Sequence, residues 1–339
     1  MIDLTTLLKY DSQKMFEVYD SWPKISTNSY KSDLKPIEFS GIDHIVFAGM
    51  GGSGALGDTF ASILSKTNLH VSVVKGYLLP KTTDEKTLVV ATSVLGNTTE
   101  TLTVLNSAVK MNCKIVAFSS GGKMEEFCKK NKVEYRKLAF YHSPRASFAG
   151  YLYSMLKILN DILTVEEIDV HESIDSLNKM HTMVSTQNIS ETNESLNIAK
   201  WINGIPLIYY PWGLQAAAIR FKNSLQENAK MHALTEDVVE ACHNGIVAWE
   251  KSSNVKPILI EGTDDYIKTK ERWKILKEYF KENEIEYREI HSVGRSILSK
   301  LICLIYLLDY SSIYLAVQRK IDPSPVNSID YIKKKLNWK

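Results

Sequence analysis

Residues 47–58 read FAGMGGSGALGD, and the four glycines at positions 49, 51, 52 and 54, together with Ser53, lie between a Val- and Ile-rich segment and a helical pattern. Glycines permit positive φ angles and let a ligand approach the backbone closely. Ser53 stands where we expect the helix to begin, and a helix N-terminus presents free N–H groups and a partial positive charge. The turn is therefore predicted to bind an anion, a phosphate group above all.

Short Val- and Ile-rich segments, which are predicted to be buried strands, alternate with helical patterns on both sides of this turn. In the first half they are residues 44–50, 70–76, 86–93, 113–120 and 133–139, and in the second half 205–211, 256–262 and 285–291. Strand–helix alternation at this spacing predicts parallel sheets covered by helices on both faces. The expected fold class is α/β, with two doubly wound halves of similar pattern.

A polar segment, STQNISETNES (185–195), predicts the junction between these halves. We expect an N-terminal domain over residues 1–185 and a C-terminal domain over residues 195–339. The longest apolar run, 301–317, is interrupted by Asp309 and falls short of the roughly 20 apolar residues that a membrane span needs. It is predicted to be a buried amphipathic helix, so we expect no membrane partner.

The composition excludes several classes of protein. Hydrophobic residues make up 44% and charged residues 24%, which are values of globular chains, and a net charge of +2 gives no footprint for nucleic acid. The four cysteines lie far apart, without CxxC spacing, and the N-terminus has no apolar signal segment. We therefore expect a cytoplasmic protein with no disulfide framework and no metal site.

The glycine-rich turn permits two other interpretations. Gly49, Gly51 and Gly54 also fit the dinucleotide-binding fingerprint, which expects an acid about 20 residues further on for the ribose hydroxyls. Lys75 stands in that neighbourhood instead, and the Walker pattern of nucleotide triphosphatases is absent. A tight turn without any ligand is the remaining alternative.

A second hydroxyl-rich turn follows the third predicted strand. Residues 89–102 read VVATSVLGNTTETL, with Ser93 and Thr98 between the strand and the next helix. In open α/β folds, ligands bind at the carboxyl edge of the sheet, where this turn lies beside the first. Two such loops suit a single phosphomonoester better than a dinucleotide.

Several motifs carry a resemblance to a known family. GGSG (51–54) and S-x-x-GNT-x-ET (93–101) resemble the sugar isomerase (SIS) domain. RFKNSLQENAK (220–230), EACHNGIVAWE (240–250) and IDPSPVNSIDYIKKKL (321–336) are similar to the archaeal-type bifunctional phosphoglucose/phosphomannose isomerases. The resemblance implies two tandem SIS domains of flavodoxin-like fold plus C-terminal helices. It also implies a homodimer that interconverts glucose or mannose 6-phosphate and fructose 6-phosphate with no metal or other cofactor.

The resemblance also implies roles for individual residues. The implied substrate ligands are Gly51, Gly52, Ser53, Ser93, Thr98 and Arg145. Glu227 matches the base that moves a proton between C1 and C2 through a cis-enediol. His243, contributed across the dimer interface, and Lys333 match the residues that open the sugar ring. For each side chain a structural role is the alternative: a structural arginine, a solvated helix carboxylate, an exposed histidine and a basic helix end.

One departure from the family pattern lies in the second loop. Leu95 replaces a hydroxyl that would contact phosphate, and Thr99 replaces an acid. One lost hydrogen bond to a charged group is worth roughly 1.5–3 kcal/mol. This leaves a non-catalytic SIS protein that binds a sugar phosphate as an alternative. A glutamine-dependent glucosamine-phosphate synthase is not expected, because the first cysteine is Cys113.

Overall fold

The computed structural model describes residues 2–336, and the first of its two sheets is formed by the N-terminal half. Its strands are β1 (His44–Ala48), β2 (His70–Val74), β3 (Thr87–Thr92), β4 (Lys114–Ser119) and β5 (Glu134–Lys137). All neighbouring strands are parallel, and their order is β2-β1-β3-β4-β5. This is the flavodoxin-like order, whose switch point lies between β1 and β3. The α/β prediction is confirmed.

The second sheet repeats this pattern with one strand fewer. Its strands are β6 (Ile205–Tyr210), β7 (Leu234–Asp237), β8 (Val255–Glu261) and β9 (Arg288–His291). They are parallel in the order β7-β6-β8-β9. The strand β7 was not predicted: it reads LTED, lies at the edge of the sheet beside β6, and contains no fully buried residue. A short edge strand of this kind lacks the apolar composition that identifies a central parallel strand.

Helices connect the strands and surround both sheets. In the first half they are α1 (Leu4–Tyr10), α2 (Met15–Asp20), α3 (Trp22–Tyr30), α4 (Gly51–Ile63), α5 (Thr99–Ala108), α6 (Gly122–Asn131), α7 (Phe148–Ile158) and α8 (Glu167–Val184). In the second half they are α9 (Glu194–Trp201), α10 (Gln215–Glu227), α11 (Val238–Ala241), a 3₁₀ helix (Gly245–Glu250), α12 (Ile267–Glu282), α13 (Ile297–Gln318) and α14 (Asn327–Leu336). The first glycine-rich turn is shorter than expected, since α4 begins at Gly51 and Ser53 lies within its first turn.

Both faces of the first sheet are buried. Successive side chains of a strand point to opposite faces, and Phe47 packs in the main core while Val46 packs in a separate cluster with α5. The edge strands β2 and β5 differ from the prediction of buried strands, because their residues are only partly buried or exposed. Burial on both faces accounts for the continuous apolar runs of the central strands.

The helix α13 is buried between helices of both halves. It is long and apolar enough to cross a membrane by length and composition alone, but 94% of its most apolar window is buried inside the protein. The predicted buried helix is confirmed, although it is buried on all sides and is therefore not amphipathic. It packs against α8, α9 and α10, and is the core helix that joins the two halves.

The helix α10 connects the second half to the first sheet. It packs on α13 and also on α4, the helix that follows the glycine-rich turn. Apolar residues of both sheets, such as Phe47 and Ile258, belong to one continuous core. The segment 185–193 between α8 and α9 is irregular. The boundaries of the two domains stay a prediction.

Candidate active site

The first glycine-rich loop is packed against a distant part of the chain. A Cβ atom on Gly52 would lie 2.9 Å from the carbonyl carbon and oxygen of Pro144 and 3.1 Å from the backbone nitrogen of Arg145. Only glycine permits this approach of two backbones. Gly51 differs, because it has a φ of +53°, is exposed, and faces open space. Gly52 therefore has a packing role, whereas Gly51 leaves the backbone accessible at the start of α4.

The two hydroxyl-rich loops meet at the carboxyl ends of β1 and β3. The hydroxyl oxygen of Ser53 accepts a hydrogen bond of 3.3 Å from the backbone N–H of Val94. Ser93 donates to the hydroxyl of Thr98 at 2.9 Å and accepts from the Thr98 backbone N–H at 3.4 Å. The N-termini of α4 and α5 thus lie side by side at the switch point of the sheet, which is an arrangement suited to an anion.

Lys75 lies where the dinucleotide fingerprint expects an acid. Its Nζ atom forms a 2.5 Å salt bridge with Asp58 of α4, and its side chain lies beside Gly54. Burial raises the pKa of Asp58, and the Lys75 ammonium opposes that rise. A lysine paired in this way offers no acceptor for ribose hydroxyls, so the geometry does not favour a dinucleotide.

A cleft of about 690 Å³ opens beside the first loop and is lined from α10 and the start of α14. Its lining comprises Gly51, Asn223, Gln226, Glu227, Lys230, and residues 325–329. This volume lies in the range that small-molecule sites occupy. The cleft therefore brings the predicted base, Glu227, to the same space as the glycine-rich loop.

Arg145 is buried and its guanidinium contacts the side chain of Glu227. Nη1 of Arg145 donates to Oε2 of Glu227 at 3.1 Å, and Nε donates to Oδ1 of Asn228 at 2.8 Å. Nη2 donates to the backbone carbonyl oxygens of Pro323 at 2.7 Å and Ser324 at 3.0 Å. Among residues 2–336, no donor contacts Oε1 of Glu227. One oxygen of the carboxylate is thus held while the other is available to a ligand.

The position of Glu227 is unfavourable for a carboxylate unless a cation lies nearby. Glu227 is the last residue of α10, where the unpaired carbonyl groups give the helix end a partial negative charge. The guanidinium of Arg145 supplies the compensating charge. Glu227 is partly buried, with its side chain 25% exposed, so the pair is screened less than a surface pair.

A buried ion pair between α10 and α13 stabilises the positions of Glu227 and Arg145. Arg220 of α10 binds Asp309 of α13, with Nη2 to Oδ2 at 2.6 Å, and both side chains are buried. Ser224 donates to the other carboxylate oxygen of Asp309 at 2.6 Å. Arg220 also donates to the backbone carbonyl of Arg145 at 2.9 Å. The network therefore holds both the helix that carries the base and the segment that carries Arg145.

Lys230 is the last residue of the motif 220–230, and it joins the end of α10 to the segment before α14. Its Nζ atom donates to the carbonyl of Pro325 at 2.6 Å and to the carbonyl of Glu227. The pKa of Lys230 is lowered mainly by its partial burial and, to a smaller extent, by the positive charge of the neighbouring Arg145 guanidinium. Lys230 and Arg145 together tie the segment 323–325 to α10, which sets where α14 begins. Asn228 and Lys230 follow Glu227 by one and three positions. This closeness to the predicted base is the sequence signal that could have identified them as part of the site.

The structure does not bring His243 and Lys333 into this cleft. His243 is exposed in the turn after α11, where its backbone N–H donates to the Glu240 carbonyl at 2.8 Å. Lys333 is exposed on α14, beyond the part of that helix that lines the cleft. Neither side chain contacts Glu227 within the described part of one chain.

A second group of polar residues lies at the carboxyl ends of β8 and β9. Ligand atoms of Glu261, Glu289 and His291 all lie within 4.8 Å of one another, at a spacing that could hold a metal ion. Local sequence spacing could not reveal this group, because it depends on the pairing of two strands. Lys277 already donates to both carboxylates at 3.0 Å, so its ammonium balances their charge.

Comparisons with known proteins agree with this architecture. Residues 191–336 match the model of the bacterial phospho-glucose isomerase C-terminal SIS domain. The tagatose-6-phosphate ketose/aldose isomerase of Escherichia coli superposes with a TM-score of 0.68 over 95% of each chain. At 13% identity this likeness shows the fold alone. The prediction of tandem SIS domains is confirmed at the level of the fold.

Two relatives carry the assignment further. A bifunctional phosphoglucose/phosphomannose isomerase of Thermoplasma acidophilum is 29% identical, over 87% of this chain and 90% of the relative. One of Caldicellulosiruptor bescii is 31% identical, over 95% of this chain and 98% of the relative. With this similarity over nearly its whole length, the chain belongs to the family of bifunctional phosphoglucose/phosphomannose isomerases.

Proposed function

We propose that this chain is an isomerase that interconverts glucose 6-phosphate or mannose 6-phosphate and fructose 6-phosphate. The observation that carries the proposal is the carboxylate of Glu227, oriented by Arg145 at the wall of a cleft that begins at the glycine-rich loop. Aldose–ketose isomerisation needs one base near a bound phosphate, and this cleft offers both. The names of the relatives point to the same reaction.

In the proposed complex the phosphate binds at the two loops. Its ligands are Gly51, Gly52, Ser53, Ser93 and Thr98, near the N-termini of α4 and α5. Backbone N–H groups at helix N-termini and hydroxyl donors suit a dianionic phosphate. The sugar then extends from the loops toward α10, and binding energy from the phosphate positions C1 and C2 at the base.

Glu227 acts as the base on the open-chain sugar. Its carboxylate removes the proton from C2 of the aldose, a C1=C2 double bond forms, and the O1 carbonyl oxygen gains a proton. Glu227 then returns a proton to C1 while O2 loses its own proton, which balances the proton that O1 gained, and becomes the ketone oxygen. Arg145 keeps Oε2 engaged and stabilises the negative charge that develops on the cis-enediol. No step requires a metal ion or another cofactor.

Ring opening is assigned to His243 of the partner subunit and to Lys333. His243 is exposed and lies outside the cleft of its own chain, which supports a site completed by a second copy in a homodimer. An imidazole titrates near neutrality, so it suits proton transfer to and from a ring oxygen. Lys333 lies about one turn beyond Ile329, the last cleft-lining residue of α14, and it would contact the same ring from that helix.

A cytoplasmic location is proposed because the four cysteines are free thiols and form no disulfide bond within the described chain. Cys113, Cys128, Cys242 and Cys303 are free in the described chain. Burial raises the pKa of Cys128 to about 11 and that of Cys303 to about 12, which keeps both as unreactive thiols. Free cysteines are typical of reducing compartments. Cell fractionation of the native protein tests this location.

A direct assay tests the function. The purified chain is incubated with fructose 6-phosphate, and glucose 6-phosphate and mannose 6-phosphate are measured separately by coupled dehydrogenases. Formation of both products supports the proposal, and the ratio gives the preference between the two epimers. Binding of fructose 6-phosphate without formation of either aldose would instead identify a non-catalytic sugar-phosphate-binding protein.

A further inference from the structure

Asn228 has a special position beside the predicted base. It directly follows Glu227 at the end of α10, and its side chain is completely buried. Its carbonyl oxygen Oδ1 accepts a 2.8 Å hydrogen bond from Nε of Arg145. Its amide nitrogen Nδ2 donates to the hydroxyl of Ser312 in α13 at 2.8 Å. Asn228 therefore connects the central helix with the guanidinium that binds the base.

The chemistry of both neighbours determines which way this amide points. Arg145 can only donate hydrogen bonds, so it requires the carbonyl end of Asn228. Ser312 donates its own hydroxyl hydrogen to the backbone carbonyl of Asp309 at 2.6 Å, which leaves its oxygen to accept from the amide nitrogen. Both ends of Asn228 are thus satisfied in one orientation, and the reversed amide would lose both hydrogen bonds.

We propose that Asn228 is a positioning residue for the isomerisation: it aligns the Arg145 guanidinium on the carboxylate of Glu227. This inference rests on the proposed function of Glu227 as the base. Arginine has a long flexible side chain, and its rigid donor plane must be oriented for one N–H to meet one carboxylate oxygen. The bond from Nε to Asn228 sets that plane, because the N–H of Nε lies in the planar guanidinium and its direction fixes where Nη1 points.

A neutral acceptor suits this position better than a charged one. A carboxylate at residue 228 would compete with Glu227 for the guanidinium and would add a negative charge beside the developing cis-enediol. The amide of Asn228 accepts the same hydrogen bond without that charge. The remaining contacts of Arg145, to the carbonyls of Pro323 and Ser324, are also neutral. Among the described residues, Glu227 is therefore the one charged group that accepts a hydrogen bond from Arg145.

The test uses the full-length protein and fructose 6-phosphate, and wild-type turnover is measured first. Asn228→Leu keeps the size of the side chain and removes both hydrogen bonds. We expect kcat to fall by roughly tenfold to a hundredfold, with inorganic phosphate binding changed by no more than about threefold. Ser312→Ala, which leaves the contact between Asn228 and Arg145 but frees the amide end, is expected to give a smaller loss.

A matched control separates positioning from general stability. Asn193 is equally buried, and its amide donates to the carbonyls of Val184 at 3.1 Å and Asn188 at 2.7 Å, away from the cleft. Asn193→Leu is expected to lower thermal stability while kcat stays within about twofold of wild type. A loss of kcat in Asn228→Leu no larger than in Asn193→Leu would overturn the inference.

A double-mutant cycle identifies the route of the effect. Arg145→Lys keeps the charge and loses the fork of donors, so it is expected to lower kcat on its own. If Asn228 acts through Arg145, adding Asn228→Leu to Arg145→Lys lowers kcat by no more than about threefold further. Losses that multiply would show that Asn228 acts independently, and the inference would be wrong. A wild-type protein without isomerase activity would instead overturn the proposed function, and this inference with it.

Discussion

The guanidinium of Arg145 donates a hydrogen bond of 3.1 Å to the carboxylate of Glu227, although 82 positions separate the two residues in the chain. The pair joins the loop before α7 to the end of α10. Arg145 offsets the unfavourable charge at the helix end and leaves Oε1 of Glu227 without a donor among residues 2–336. A carboxylate held by one oxygen is suited to transfer a proton with the other.

The first prediction concerns the base. Glu227→Gln keeps the shape of the side chain and removes the proton acceptor, so isomerisation is expected to fall by roughly 10²–10⁴-fold. Sugar-phosphate binding is expected to stay within a few-fold of wild type. The measurement is the entry of solvent deuterium at C1 or C2. Exposed Glu126 of α6 provides the control variant Glu126→Gln, and deuterium entry at the wild-type rate in Glu227→Gln would exclude Glu227 as the base.

The second prediction concerns His243. If it opens the ring, His243→Ala slows turnover of the cyclic sugar phosphate more than turnover of an open-chain substrate. Mixing inactive Glu227→Gln and His243→Ala subunits is expected to restore activity, because an exchanged dimer contains one site with both residues. The rates on both substrates and the activity of the mixture are the measurements. Equal losses on both substrates, with no recovery on mixing, point to a structural histidine.

The third prediction concerns the second loop. The side chain of Leu95 is 44% exposed, so Leu95→Ser leaves no buried cavity and is expected to keep the free energy of unfolding nearly unchanged. The new hydroxyl is expected to tighten phosphate binding by at most roughly 1.5–3 kcal/mol. Calorimetric titration with inorganic phosphate measures the change. Unchanged affinity with unchanged stability shows that residue 95 does not face the phosphate.

The fourth prediction concerns metal ions. Exhaustive chelation is expected to leave full activity, because the proposed proton transfer uses only protein side chains. The group formed by Glu261, Glu289 and His291 already contains the ammonium of Lys277, which balances the charge of the two carboxylates. We therefore expect that activity does not depend on a metal ion bound at this group. Activity is measured before and after dialysis against a chelator. Recovery of a lost activity only on addition of zinc contradicts the mechanism.

The fifth prediction concerns the ion pair between α10 and α13. Asp309→Ala leaves Arg220 buried without its counter-charge, and is expected to lower the free energy of unfolding by about 3–5 kcal/mol. The double variant Asp309→Leu with Arg220→Met removes both charges and is expected to recover much of that stability. Urea denaturation measures both. If the double variant is less stable than Asp309→Ala, the prediction is wrong. The loss of stability in Asp309→Ala then comes from the missing ion pair and not from the isolated charge of Arg220.

Some errors of the sequence analysis have a common cause. The strand β7 was missed because an edge strand with two acidic residues has no apolar signature. The same geometry explains why β2 and β5 are less buried than predicted. Ser53 was placed at the start of a helix that begins at Gly51, because glycines have a low helix propensity and were assigned to the turn. Local patterns describe the centre of a sheet better than its edges and ends.

The sequence by itself determined the class of fold and the two loops at the switch point, because strand periodicity, helical periodicity and glycine-rich turns are local properties of the chain. Only the tertiary structure decided that Arg145 binds Glu227 and Asn228, and that Lys277 lies between Glu261 and Glu289. These contacts depend on which strands are neighbours and on how α10 packs between α4 and α13. A buried charge requires a partner from anywhere in the fold, and no local pattern specifies which distant residue provides it.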